Sequence, residues 1–151
     1  MLLSLASCAT PPHLACNPQK SKVPLIAQLN KSLTAKSNEY VVHYQNNSSA
    51  WVFESYLFIG EMDGEYVTVS AGNELARKTT SITKAEYDQL RNNVIKSTSH
   101  KASSPITEEQ DYCQYFDIGG EKEVVLAEEN SDPKLRKLRK KLDALIIYRN
   151  E

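Results

Sequence analysis

Apolar residues recur at helical spacing in three parts of this chain. In the first part, Leu25, Ile26, Leu29 and Leu33 follow Pro24, a residue that suits the first turn of a helix. The same spacing recurs in two later segments, at Tyr87, Leu90, Val94 and Ile95 and at Leu135, Leu138, Leu142, Leu145 and Ile146. The pattern therefore predicts three helices, each with one apolar stripe to bury.

The second and third helices also carry start signals. Thr83 and Glu86 have the spacing of a capping box, and Ile82 and Tyr87 occupy the hydrophobic positions that flank such a box. Asp132 precedes Pro133 and is a suitable N-cap for the last helix.

Segments rich in β-branched and aromatic residues predict strands between the helices. Residues 50–59 are apolar on both faces and predict a central strand, and Asp63-Gly64 and Gly119-Gly120 predict two-residue hairpin turns. The other predicted strands are residues 39–45, 65–70, 74–79, 111–118 and 121–128.

The order of these elements predicts an α+β fold. A strand meander is followed by a helix, a hairpin and a last helix, which favours an antiparallel sheet with two or three helices packed on one face. The 151 residues suit a single domain. We expect a lipoprotein signal remnant in residues 1–8, a flexible tether in residues 9–22, where Pro, Asn, Ser and Lys are frequent, and the domain in residues 23–151.

Charge and hydropathy restrict the partners. The net charge of −1 does not favour binding to nucleic acid. No stretch approaches the ~20 apolar residues that a spanning helix needs. Any membrane attachment must therefore use an anchor or surface contact.

The N-terminal residues Leu5-Ala6-Ser7-Cys8 resemble the lipobox of bacterial lipoproteins. The resemblance implies that the thiol of Cys8 is lipidated and that the chain is cut just before it. Because Ala9 follows in place of Asp, the resemblance further implies transfer to the outer membrane. The domain would then face the periplasm, an oxidising compartment.

The three cysteines agree with this resemblance. If Cys8 carries lipid, Cys16 and Cys113 remain as one possible disulfide pair. The alternative is a cytosolic protein with three ordinary thiols. The spacings do not resemble those of zinc ligands.

Catalytic patterns are weak in this sequence. His43 lies in a predicted strand and is expected to be structural, while His13 falls in the predicted tether and His100 in a Ser-rich segment. There is no G-x-S-x-G motif, no EF-hand or H-E-x-x-H spacing and no phosphate-binding glycine loop. We therefore expect no cofactor, no metal and no enzymatic activity.

Charged residues separate into two neighbouring segments. Residues 108–132 are mostly acidic, whereas the last helix carries six basic residues: Lys134, Arg136, Lys137, Arg139, Lys140 and Lys141. The basic face is expected to offset the acidic segment before it, although such a helix can also contact anionic lipid or phosphates. We expect the acidic segment and two turns to contact a basic protein partner through Glu108, Glu109, Asp111, Asn47 and Asp63.

These observations together predict a periplasm-facing lipoprotein that binds another protein through the sheet or the loops at its edge. The last two helices are expected to cover one face of the sheet, which leaves the other face available for contact. An immunity or inhibitor protein against an envelope-acting toxin or hydrolase is the first interpretation. An accessory structural lipoprotein of an envelope assembly or secretion system is the second, and a small carboxylate-dependent enzyme is the third. The sequence does not predict the oligomeric state.

Overall fold

The computed structural model describes residues 16–47, 53–73, 77–99, 112–126 and 133–146. Four residues with predicted roles, Cys8, Glu108, Glu109 and Asp111, lie outside these ranges. The elements are a short 3₁₀ helix (Pro18–Lys20), α1 (Pro24–Lys36), β1 (Tyr40–Asn47), β2 (Phe53–Met62), β3 (Glu65–Gly72), β4 (Lys78–Ile82), α2 (Lys84–Thr98), β5 (Tyr112–Ile118), β6 (Lys122–Leu126) and α3 (Pro133–Asp143).

The strands form one six-stranded antiparallel sheet in the order β4-β3-β2-β1-β5-β6. This confirms the predicted α+β class and places β2 and β1 in the interior of the sheet. The two-residue turn at Asp63-Gly64 is also confirmed, with positive φ angles of 53° and 86° and with Met62 opposite Glu65. Positive φ at both central positions is the geometry that an Asp-Gly hairpin favours.

Several element boundaries differ from the sequence prediction, and β1 and β2 extend to Asn47 and Met62. The second hairpin has a three-residue loop, because Ile118 pairs with Lys122 rather than with Glu121. β3 continues through Gly72 along β2, so the next strand, β4, begins later than predicted, at Lys78, and ends just before the N-cap Thr83. Pairing with a neighbouring strand outweighs local propensity at these positions.

Helices α2 and α3 cover one face of the sheet. Their buried side chains, including Tyr87, Val94, Leu138 and Leu142, join an apolar cluster with the odd-numbered β1 and β2 residues such as Leu57. The predicted capping box at Thr83 is present, because its side chain accepts from the Glu86 N–H and the Glu86 side chain accepts from the Thr83 N–H. Two helices on one face agree with the prediction.

Helix α1 packs on the opposite face, which the sequence analysis expected to be available for contact. Ile26, Leu29 and Leu33 pack against a second apolar cluster that includes Tyr44 and Phe58. The expectation of an uncovered second face is therefore wrong. The physical reason is that both faces of β2 are apolar, so each needs a cover.

Residues 16–22, which the sequence analysis assigns to the tether, contact this second face. Cys16 and Cys113 form a disulfide with a Cα–Cα distance of 6.1 Å, which confirms the predicted pairing. Pro18 is buried, and the Ser21 hydroxyl donates to the carboxyl group of Glu54.

Candidate functional site

A groove between α2 and α3 is lined mainly by lysines, and we call it the lysine groove. It has a volume of about 240 Å³. Its lining residues are Asn93, Lys96, Ser97, Lys134, Lys137, Leu138 and Lys141. Among the described residues, no acidic side chain lines it. The groove can therefore attract anions.

Helix geometry explains why three of these lysines share one wall. Lys134, Lys137 and Lys141 are spaced by three and four residues, which places them on one side of α3. The apolar stripe that contains Leu138 and Leu142 faces the sheet, so the lysines are turned toward α2. Lys96, in the last turn of α2, approaches from the other wall.

The edge of the sheet at β4 is a second candidate contact surface. β4 is the last strand in the sheet order, and its residues from Lys78 to Ser81 are exposed. An edge strand offers main-chain hydrogen-bonding groups to an incoming strand.

Register identifies the β4 residues whose main chain faces outward. In a two-residue hairpin, the closing pair Met62–Glu65 exchanges main-chain hydrogen bonds, and bonded and non-bonded pairs then alternate along the strands. β3 thus turns its Tyr66, Thr68 and Ser70 main-chain groups toward β4, opposite Ile82, Thr80 and Lys78. The N–H and C=O of Thr79 and Ser81 therefore point away from β3, to the side of β4 where no other described strand pairs. This alternation agrees with a hydrogen bond of 3.1 Å from the Glu61 N–H to the Glu39 carbonyl on the β1 side.

His43 is buried beneath α3, as the sequence analysis expects of a structural histidine. Its exposed fraction is 1 %, its ring stacks on Phe116, and its Nε2 lies 2.9 Å from Gln114 Oε1. Burial lowers the pKa of His43 to about 4, so the ring is neutral at pH 7. A general base must contact its substrate, and the His43 side chain is buried too deeply for such contact.

Glu54 is a buried carboxyl group on the α1 face that the sequence analysis did not single out. Its exposed fraction is 2 %, and its Oε1 accepts hydrogen bonds of 2.5 Å from both the Ser21 and Tyr44 hydroxyls. Burial raises the pKa of Tyr44, and the hydrogen bond to Glu54 acts in the same direction. These contacts join β2, β1 and the segment before α1.

A buried carboxyl group with a raised pKa would support the enzyme interpretation, and Asp117 comes closest to that description. Burial raises its pKa, although hydrogen bonds from the Gly120 N–H and the Tyr40 hydroxyl act in the opposite direction. Desolvation also raises the pKa of Tyr40, to about 12. The side chain of Asp117 is thus engaged by the turn and by β1, which is a structural arrangement.

The two described members of the predicted contact set lie far apart. Asn47 ends β1 opposite Phe53, at the start of β2, whereas Asp63 follows Met62, the last residue of β2. Nine residue steps of about 3.3 Å along β2 separate these ends by roughly 30 Å. One compact contact site therefore does not contain both, and the other three members of the set, Glu108, Glu109 and Asp111, lie outside the described residues.

The basic side of α3 is evident from the sequence, but the groove beside it is not. Lys96 and Ser97 lie about forty residues before α3 along the chain, and only packing of α2 against α3 brings them together. The exposed β4 edge was missed because the strand was placed too early in the chain. A period-two pattern is absent from the Thr- and Ser-rich β4 segment.

Comparison of the sequence with protein-family models gives no match, and comparison with curated protein sequences gives none either. In the part of the chain that the structure describes, no helix is long and apolar enough to cross a membrane. The same residues contain no group of three or more His, Cys, Asp or Glu side chains placed to hold a metal ion.

Proposed function

We propose that this chain is a lipid-anchored, periplasm-facing protein of the outer membrane that binds another protein, with an immunity or inhibitor role as the first interpretation. The observation that carries the binding role is the exposed β4 edge, where Thr79 and Ser81 direct main-chain groups outward. Addition of a partner strand to such an edge is a common mode of protein recognition.

The contrast between the two edges supports β4 as the docking strand. At the other edge, Lys122 of β6 is half-buried and its ammonium group donates to the Thr98 carbonyl at the end of α2, over 3.0 Å. β4 has an exposed side chain at four of its five positions, with a single charged residue, Lys78. Charged residues on an edge strand oppose pairing with another chain, so their scarcity on β4 favours it.

The burial of His43 and Glu54 favours a binding role over a catalytic one. His43 and Glu54 are closed to solvent and hydrogen-bonded within the core. Neither side chain contacts a surface from which a substrate could approach. The rigid sheet they help to hold is a suitable platform for a docking edge.

Affinity capture from envelope extracts tests the binding role, with the wild-type chain compared with Thr79→Pro and Thr79→Ala. Proline removes the outward N–H of Thr79 without removing a bond to β3, whereas alanine keeps that N–H. We expect a partner that wild type and Thr79→Ala retain equally and that Thr79→Pro retains at least about tenfold less, an effect that corresponds to about 1.4 kcal/mol.

Two results would contradict this proposal. A partner that remains bound to the folded Thr79→Pro chain excludes the β4 edge as the contact. An intact mass without an acyl increment on Cys8, measured on protein purified from the native envelope, excludes the anchor. Thermal unfolding of both variants serves as the control for folding.

A further inference from the structure

We propose that the lysine groove is a binding site for phosphate-bearing anions. The site lies on the α2–α3 face of the sheet and is separate from the β4 edge, so it adds a second activity to the proposed protein binding. The juxtaposition that carries this inference is the approach of Lys96 on α2 to Lys137 and Lys141 on α3.

The lysines act together because they belong to two elements with fixed positions. Val94 of α2 and Leu138 and Leu142 of α3 are buried in the same apolar cluster, which holds the two helices against the sheet. Lys137 and Lys141 are exposed, and Lys96 faces them across the groove. Like charges held near each other repel, and a bound anion relieves that repulsion.

The clustering of four lysines favours phosphate over carboxylate. A phosphate group concentrates up to about two negative charges in one compact group, whereas a carboxylate carries one, and the attraction to each nearby ammonium group grows with that charge. Lysine binds phosphate as a compact point charge with three donors. The side chains of Asn93 and Ser97 add neutral donors at the same place.

The shape of the groove restricts the anion. A volume of about 240 Å³ is near the lower limit for small-molecule sites and is too small for a folded element of a partner. Among the described residues, no aromatic side chain lines the groove, so it offers no platform on which a base could stack. A compact group such as a diphosphate or a phosphomonoester fits these limits.

Insertion of α3 into a bilayer is not compatible with its packing. An amphipathic helix enters a membrane with its apolar face, but Leu135, Leu138 and Leu142 of α3 are buried against the sheet. A lipid could therefore meet the groove only through its phosphate headgroup. Free phosphate compounds and lipid headgroups remain the two sources of the same ligand chemistry.

Calorimetric titration with sodium pyrophosphate tests this site. The protein is the full chain carrying Cys8→Ser, so that no acyl group contributes. The groove variant is Lys137→Gln/Lys141→Gln, and the matched control is Lys31→Gln/Lys36→Gln on exposed positions of α1, which removes the same charge on the opposite face. We expect the groove variant to weaken pyrophosphate binding at least about tenfold and the control by less than about twofold.

Vesicles distinguish the two sources. Co-sedimentation with phosphatidylcholine vesicles that contain phosphatidic acid, reversed by pyrophosphate, identifies a lipid headgroup as a source. Binding of pyrophosphate without co-sedimentation identifies a soluble compound.

Equal loss of binding in the groove and control variants would overturn the proposal, as would the absence of binding to both probes. Binding of a hexaglutamate peptide as tight as that of pyrophosphate would also overturn it.

Discussion

The two faces of the sheet are closed by different interactions. On the α2–α3 face, two amphipathic helices bury an apolar cluster that includes Leu57, Ile59 and Val94. On the α1 face, tyrosine hydroxyls donate to carboxyl and amide groups, as in the contacts Tyr44–Glu54, Tyr40–Asp117 and Tyr56–Asn30. The Cys16–Cys113 disulfide adds a covalent link on that face.

Element dimensions explain this difference. Six strands spaced by about 4.8 Å make a sheet about 24 Å wide, whereas a helix with its side chains is about 10 Å in diameter. Two helices can cover one face with apolar stripes, but α1 alone cannot cover the other. In the part of the chain that the structure describes, hydrogen-bonded tyrosines and the disulfide contribute to the remaining closure of the α1 face.

The α2–α3 face differs from the α1 face in its response to acid, whereas tyrosines on both faces, including Tyr87 of α2, have pKa values raised by burial. The pKa of His43, on the α2–α3 face, is lowered by burial, so its contribution to stability is lost as pH falls below about 6.5. Burial raises the pKa values of Tyr40, Tyr44, Tyr56 and Tyr115 on the α1 face. Their contribution is present below pH ~10 and is lost as pH rises above it.

Removal of the disulfide should have the largest effect, because it opens the α1 face. The bond closes a loop between residues separated by 97 positions. In the chain-entropy model, the double variant Cys16→Ala/Cys113→Ala should lose about 4–5 kcal/mol of unfolding free energy. Urea unfolding of this variant, with Cys8→Ala as the control, measures the loss. A loss below about 1 kcal/mol would mean that the tyrosine contacts alone close the face.

Protonation of His43 should have an intermediate effect on the other face. The folded pKa of about 4 lies below the unfolded value near 6.5, so the unfolded chain binds the proton first as pH falls. Between pH ~7 and ~4.5, wild type should lose about 2–3 kcal/mol more than His43→Gln, which cannot be protonated.

Urea unfolding of both proteins at the two pH values provides the measurement. Equal losses in wild type and His43→Gln would show that His43 is protonated in the folded state. In that case, the acid sensitivity would belong to groups other than this buried ring.

The smallest of these effects should come from the N-cap of α2, at the periphery of the α2–α3 face. Thr83→Ala removes the oxygen that accepts from the Glu86 N–H at 3.0 Å and should cost about 1 kcal/mol. Thr83→Ser keeps an acceptor and should stay close to wild type in thermal unfolding. A loss of partner capture by Thr83→Ala at an unchanged melting temperature would instead place this helix start in the contact surface.

Local patterns predicted the elements better than their arrangement. The Thr83 cap and the Asp63-Gly64 turn were predictable because each depends on residues only a few positions apart. The start of β4 was not predictable in this way. β4 is a Thr- and Ser-rich segment without a clear alternation of polar and apolar residues, and its bounds are set by pairing with β3. The packing of α1 on the second face of the sheet was also not predictable, because the apolar stripe of α1 does not indicate which face the helix will cover.

By itself, the sequence determined the three helices, the antiparallel strands and the residues available for a disulfide, because spacing and turn chemistry act within short segments. Tertiary structure alone decided which groups meet. It placed Lys96 opposite Lys137, closed Glu54 between Ser21 and Tyr44, and left Thr79 at an open edge. These contacts depend on the direction in which each helix crosses the sheet and on strand order. Both follow from the burial of two apolar faces at once, a constraint that no single segment contains.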